Sequence, residues 1–93
     1  MKNRTQIAQQ KAKALNICVV IPTYNNASTL TKVINDVWQY CPNVIVVNDG
    51  STDKTKEYLK SFEQIEVLTF EQNRGKGIAL REGLRKAALL GFD

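Results

Sequence analysis

The chain has 93 residues, of which 43% are apolar and 24% are charged, and these values are ordinary for one small globular domain. It contains no histidine, which excludes Ser-His-Asp and Cys-His triads, HExxH zinc sites and Cys2His2 fingers. No apolar run approaches the ~20 residues that a membrane-spanning helix requires.

The net charge of +4 is concentrated at the N-terminus. Residues 1–15 contain no acid and four basic residues, whereas the rest of the chain has nine basic and nine acidic side chains. We therefore divide the chain into a basic N-terminal extension (1–15) and a neutral folded segment (16–93). The extension is interpreted as a solvated or helical segment, with contact to anionic lipid or nucleic acid as the alternative. The folded segment lacks a basic stripe with interleaved aromatic residues, so no nucleic-acid partner is expected.

Three short apolar runs predict β-strands at 17–21, 44–47 and 65–70. The first two are continuous and rich in β-branched residues, which is typical of strands buried on both faces of a parallel sheet. The third has polar interruptions and suits an edge of the sheet. Cys18, in the first strand, and Cys41 have no metal-ligand spacing, and we interpret both as structural thiols in a reducing, cytoplasmic compartment.

Apolar residues at helical spacing predict one helix after each strand. The first helix has a face formed by Leu30, Val33, Ile34, Val37 and Trp38, with Ser28 as a plausible N-cap. A short second helix follows Asp53 and turns Tyr58, Leu59 and Phe62 inward. The last helix is expected to face the sheet with Leu80, Leu84, Ala87 and Ala88.

The alternation of strands and helices predicts an α/β fold: a three-layer, Rossmann-like half domain with parallel strands in the order 3-2-1. The first strand is too apolar for an exposed edge, so we expect a fourth strand beside it, beyond the end of this chain. Within the 93 residues, that open edge is expected to pair with a second copy or to leave the chain poorly soluble.

The loops that follow the three strands are polar and should meet at one rim of the sheet, where ligands bind in such folds. They cover residues 23–26, 48–52 and 73–76. Asp49 could accept hydrogen bonds from a base or a ribose, or form an Asx turn or helix cap. Tyr24 could stack on a planar ring, or simply pack at the rim. The glycines around Lys76 could let a helix N-terminus hold an anion, or only shape the turn.

Three segments in this order (19–25, 46–53 and 73–81) resemble the start of a family 2 glycosyltransferase with the GT-A fold. The nearest members are the dolichyl-phosphate mannose synthases and the polyprenyl-phosphate glucosyltransferases. The resemblance implies a nucleotide-binding set of seven residues: Pro22, Thr23, Tyr24, Asn26, Val47, Asp49 and Lys76. The family often has an acid where this chain has Asn26. Asn48 stands where the family's Asp-Asp-Gly-Ser motif has its first acid, and the second acid, which hydrogen-bonds the base in that family, corresponds to Asp49.

The resemblance further implies sugar transfer from a UDP or GDP sugar to an acceptor such as a polyprenyl phosphate or a glycan. The family's Mg²⁺ or Mn²⁺ is held by an Asp-x-Asp motif that would follow residue 93, so no metal ligand and no catalytic residue is assigned here. The 93 residues alone are expected to bind nucleotide weakly and not to catalyse, and the parent protein to associate with a membrane. The alternatives are a non-catalytic nucleotide-binding module of the same fold and a sugar nucleotidyltransferase.

Overall fold

The computed structural model describes residues 3–92, so Lys2 of the basic extension and Asp93 lie outside the described residues. Seven elements follow one another along the chain: α1 (Arg4–Ala14), β1 (Val19–Thr23), α2 (Ala27–Trp38), β2 (Val44–Asp49), α3 (Thr55–Leu59), β3 (Glu66–Phe70) and α4 (Lys76–Leu89). The basic extension is thus helical over most of its length. No helix within residues 3–92 is long and apolar enough to cross a membrane.

The three strands form one parallel sheet in which β2 lies between β1 and β3, and this confirms the predicted α/β class and strand order. The first strand begins two residues later than predicted. Asn16 adopts a left-handed conformation (φ 59°), and the Ile17 N–H donates to the Ala12 carbonyl oxygen (2.9 Å). Asn16 and Ile17 therefore complete the C-terminal cap of α1, and the apolar character of Ile17 does not place it in the strand.

The side chains of β2 alternate between two cores, one on each face of the sheet. Val44 and Val46 pack under α2 and α3 with Leu30, Ile34 and Leu59. The alternate residues of β2, Ile45 and Val47, pack on the opposite face together with Ala79 and Ala87 of α4. The result is the predicted three-layer arrangement, with α2 and α3 on one face and α4 on the other.

The predicted packing face of α4 is correct at Ala87 and wrong at Leu80, Leu84 and Ala88. Ala79, Gly83 and Ala87 face the sheet and are buried, whereas Leu80 and Leu84 are 41% and 55% exposed. A Cβ atom on Gly83 would overlap the side chains of Val20 and Val47. The helix therefore lies so close to the sheet that only small residues fit between them.

Three smaller expectations about the other helices are also wrong. Val33, which was expected on the packed face of α2, is exposed. Helix α2 begins at Ala27, so Ser28 lies inside its first turn and is not its N-cap. Tyr58 is exposed, because α3 spans only five residues and buries just Thr55 and Leu59. Within residues 3–92 no strand pairs with the outer side of β1. Self-association through that edge stays a prediction.

Candidate functional site

A cavity of about 370 Å³ lies where the three strands end, at the rim that the sequence predicts. The residues that line it come from all three loops: Pro22, Thr23, Tyr24, Asn26, Asp49, Asn73, Gly75 and Lys76. The structure thus brings together six of the seven predicted site residues. The lining also includes Asn73 and Gly75, which the sequence placed in the rim loop before α4 but not among the seven site residues.

Val47 is the predicted residue that does not line this cavity. It is fully buried in the centre of the sheet, paired with Pro22 on one side and Leu68 on the other. Its side chain packs under α4. Val47 therefore lies in the core below the cavity, two residues before Asp49 in the same strand.

Thr23 carries a hydroxyl that the protein leaves without a hydrogen-bond partner. The residue is 6% exposed, and its Oγ1 atom contacts no donor or acceptor among the described residues. Buried polar groups in proteins are nearly always hydrogen-bonded. Thr23 also lines the cavity, so a polar group that is unsatisfied within the protein lies at this site.

Asp49 holds the loop before α4. The residue is 3% exposed, its Oδ1 accepts the Arg74 N–H (2.7 Å), and its Oδ2 accepts the Gly75 N–H (3.0 Å). The Asn73 side-chain amide also donates to the Asp49 carbonyl oxygen (3.3 Å). The carboxylate makes neither an Asx turn nor a cap for α3, the two local alternatives considered from the sequence.

The turn after β2 depends on the residues on either side of Asp49. Asn48 is buried, and its Oδ1 accepts the Ser51 N–H (3.2 Å), which forms the turn. Gly50 has φ 72°, and a Cβ atom there would overlap the backbone of Gln72 and Asn73. Only glycine allows the two loops to pass so closely.

The N-terminus of α4 lies at the cavity with Lys76 as its first residue. The first helical hydrogen bond runs from the Ala79 N–H to the Gly75 carbonyl oxygen (3.0 Å), so the N–H groups of residues 76–78 have no partner within the helix. The lysine forms no ion pair among residues 3–92. Free N–H groups, the helix dipole and a lysine together make this side of the cavity electropositive.

A second set of hydrogen bonds joins the loop after β1 to the loop after β2. Asn25 is left-handed (φ 49°), and its Oδ1 accepts the N–H groups of Thr52 (2.7 Å) and Asp53 (3.3 Å). The Asn25 N–H in turn donates to Ser51 Oγ (3.0 Å). These bonds fix the position of Asn25, and therefore of its two neighbours in the chain, Tyr24 and Asn26.

Asp53 extends this junction to two helices. Its carboxylate accepts the Thr55 hydroxyl and N–H at the start of α3, and the Ala27 N–H (3.2 Å) at the start of α2. The hydrogen bonds from Thr55, first from its hydroxyl and then from its backbone, lower the pKa of the Asp53 carboxyl below its ordinary value.

The cavity is a poor fit for a metal ion. No group of three or more potential ligands occurs within residues 3–92, and Asp49 is the only acid that lines the cavity. Both oxygens of that carboxylate already accept backbone N–H groups. A divalent cation in this cavity would need ligands in addition to Asp49.

Another cavity of about 360 Å³ lies at the other end of the strands, where they begin. Its lining includes Cys18, Asn43, Glu66 and Phe92, and none of the predicted site residues. Burial, and then the nearby Cys41, raise the pKa of the Cys18 thiol. Ligands of parallel α/β sheets bind at the carboxyl ends of the strands, so we assign the site to the cavity around Asp49.

The fold and this cavity define a parallel α/β domain with a polar cavity at the carboxyl ends of its strands. The sequence profile described as "Glycosyl transferase family 2" matches residues 18–88, and the chain belongs to this family. This confirms the resemblance seen in the three loop segments.

The similar proteins are glycosyltransferases. The chain is 33% identical to a dolichyl-phosphate β-glucosyltransferase of Saccharomyces cerevisiae, over 80% of this chain and 27% of that protein. It is 32% identical to a UDP-N-acetylglucosamine–dolichyl-phosphate N-acetylglucosaminyltransferase of Methanococcus voltae, over 83% of this chain and 38% of that protein. A poly-β-1,6-N-acetyl-D-glucosamine synthase of Staphylococcus epidermidis is 29% identical over 92% of this chain and 23% of that protein. The chain thus spans between about a quarter and two fifths of these relatives.

Proposed function

We propose that this chain forms the donor-nucleotide half of a glycosyltransferase that takes sugar from a UDP or GDP sugar. One cavity carries the proposal, because Thr23 with its unpartnered hydroxyl, Lys76 and the N-terminus of α4 all line it. A nucleoside diphosphate has hydroxyl and base groups that can pair with Thr23. It also carries negative charge that Lys76 and the N-terminus of α4 can bind. Two of the relatives named above act on dolichyl phosphate, so we propose a polyprenyl phosphate as the acceptor and a glycan as the alternative.

The predicted site residues share the contacts with the donor, and Asp49 accepts a hydrogen bond from the base. Pro22 and Thr23 contact the base and ribose, and Tyr24, which is half exposed at the mouth of the cavity, stacks on the base. Asn26 lines the same side as a neutral hydrogen-bonding group. Lys76 pairs with the diphosphate, which the free N–H groups of α4 also contact. Val47 contributes through its main chain and by packing below Asp49.

The described residues bind and orient the donor in this proposal and carry out no bond-breaking step. Mg²⁺ or Mn²⁺, when bound, would neutralise the leaving diphosphate through ligands outside these residues. Both cysteines are free thiols, which suits the reducing cytoplasm where we propose that the protein acts. We expect weak nucleotide binding and no sugar transfer by the 93-residue chain alone, and membrane association of the parent protein.

A titration followed by amide NMR spectra of the ¹⁵N-labelled chain tests this proposal. UDP and GDP are expected to shift amides in residues 22–26, 49 and 73–78 and to leave those of α1 unchanged. Thr23→Val removes one hydrogen bond and should weaken UDP binding about fivefold. Lys76→Met removes one charge and should weaken it about tenfold.

The chain offers a matched control for each variant. Thr31→Val lies on the exposed side of α2, and Lys86→Met lies in the last turn of α4, far from the cavity. Both controls should bind UDP as the wild-type chain does. No shift with any nucleotide at millimolar concentration, or equal losses in variants and controls, would contradict the proposal.

A further inference from the structure

We infer that Asn25 is a positioning residue, which holds Tyr24 where its ring can stack on a base. The inference deepens the proposed function and rests on it. Asn25 is the one residue of the segment 22–26 that does not line the cavity. Its side chain is bonded to the loop after β2 instead. Asn25 therefore acts on a ligand through its neighbours in the chain.

The first argument is that the acceptor oxygen of the Asn25 side chain is used within the protein. Its Oδ1 accepts the N–H of Thr52 (2.7 Å) and the N–H of Asp53 (3.3 Å), and the Thr52 hydroxyl donates to the same atom (3.4 Å). The Asn25 N–H donates to Ser51 Oγ (3.0 Å). Three consecutive residues of the loop after β2 thus hold both the side chain and the main chain of Asn25.

The second argument is the backbone conformation of Asn25. Its φ of 49° lies in the left-handed region, which glycine, asparagine and aspartate adopt far more readily than other residues. This conformation turns the chain between Tyr24 and Asn26. Asparagine supplies both the conformation and the acceptor oxygen, whereas glycine supplies only the conformation.

The segment has a second attachment just beyond Asn26. The Ala27 N–H donates to the carboxylate of Asp53 (3.2 Å), the residue whose own N–H binds Asn25. Asn26 therefore keeps one bonded neighbour when the bonds of Asn25 are lost. Tyr24 has no such second attachment on its far side in the loop, because it follows directly on the end of β1. Loss of the Asn25 bonds should thus displace Tyr24 more than Asn26.

Three substitutions at position 25 separate the acceptor from the backbone conformation. Asn25→Asp keeps an acceptor oxygen and tolerates the left-handed backbone, Asn25→Gly keeps only the backbone freedom, and Asn25→Ala keeps neither. Uridine is the probe, because it is neutral and does not respond to the charge that Asn25→Asp adds. We expect Asn25→Asp to bind uridine within about twofold of wild type, Asn25→Gly about fivefold more weakly and Asn25→Ala about tenfold more weakly.

A double-mutant cycle shows whether Asn25 acts through Tyr24. Tyr24→Ala removes the stacking ring and should weaken uridine binding about tenfold. Adding Asn25→Gly to Tyr24→Ala should weaken it less than about twofold further, because the ring that Asn25 positions is already absent. Independent losses, which multiply to about fiftyfold, would overturn the inference.

A variant on the partner loop and a matched control complete the binding test. Ser51→Ala removes the acceptor of the Asn25 N–H and should weaken uridine binding about twofold to threefold. Ser61→Ala removes a hydrogen bond from another exposed serine, whose Oγ donates to the Tyr58 carbonyl oxygen (2.7 Å). Ser61 does not line the cavity, so the control should bind uridine as wild type does. Thermal unfolding of each variant shows that the folded protein is being titrated.

NMR signals of the unliganded chain decide the structural part separately. Asn25→Gly should move the ring signals of Tyr24 toward random-coil positions and speed the exchange of the Thr52 amide, and Asn25→Asp should leave both as in wild type. Unchanged Tyr24 signals in Asn25→Gly, or no rescue of uridine binding by Asn25→Asp, overturns the inference. If the wild-type chain binds neither uridine nor UDP, the proposed function fails, and these signals alone then decide whether Asn25 positions Tyr24.

Discussion

Replacing Gly83 with alanine is expected to destabilise the fold, although alanine is the better helix former. Helix propensity favours the variant by about 1 kcal/mol. The added Cβ overlaps the Cγ atoms of Val20 and Val47, and β-branched valines in strands have little freedom to move away. Overpacking of a core costs about 1–3 kcal/mol, and two stiff neighbours place this site at the upper end. We therefore expect the free energy of unfolding to fall by about 2 kcal/mol.

The measurement is thermal and urea unfolding, followed by circular dichroism and by the fluorescence of the single tryptophan, Trp38. For a domain of this size about 2 kcal/mol corresponds to a decrease in Tm of ~8–16 °C. Gly77→Ala is the matched control, because it lies in the same helix and a Cβ atom there meets nothing within 4 Å. The control should be as stable as wild type or more so. If Gly83→Ala were equally stable, the close approach of α4 to the sheet would be refuted.

Three other changes test separate parts of the structure. Gly50→Ala should lower the free energy of unfolding by about 2–3 kcal/mol in urea unfolding, since φ 72° and the backbone of Gln72 both oppose a side chain; an unchanged midpoint would contradict this. Asp53 has a lowered pKa, so its contribution to stability is present above the ordinary aspartate pKa and is lost as the pH falls through the folded-state value. Asp53→Asn should therefore lose less stability than wild type between pH ~7 and pH ~3, and parallel curves would argue against that role. We expect the chain to self-associate with rising concentration through the open β1 edge and the exposed leucines of α4, and Leu84→Lys should reduce this association. Sedimentation velocity measures it, and a wild-type chain that stays monomeric at all concentrations would refute the expectation.

The order of the strands and the place of the site could be predicted because both depend on patterns within the chain. Continuous apolar runs identify buried strands, and the ends of parallel strands meet at one edge. Asp49, Tyr24 and Lys76 were therefore placed at one cavity by topology alone. The hydrogen-bond partners of Asp49 could not be predicted, because the N–H groups that donate to its carboxylate lie 25 and 26 positions further along the chain.

The packing face of α4 shows where such patterns fail. Hydrophobicity favours Leu80 and Leu84 as the buried stripe, and the stripe of Ala79, Gly83 and Ala87 lies one residue out of phase with it. The distance between helix and sheet decides which stripe is buried, and that distance is a property of the assembled layers. A glycine in the middle of a helix was the one local sign of close packing.

The hydrogen bonds between the loops have a consequence for exchanging segments between relatives. Asn25 is bonded to residues 51–53, and Asp49 to residues 74 and 75, so each loop is held by groups on another loop. If this rim determines donor specificity, that specificity depends on all three loops together. Transplanting a single loop from a relative would leave its anchoring partners behind, and the three loops must be moved together to transfer the recognition surface.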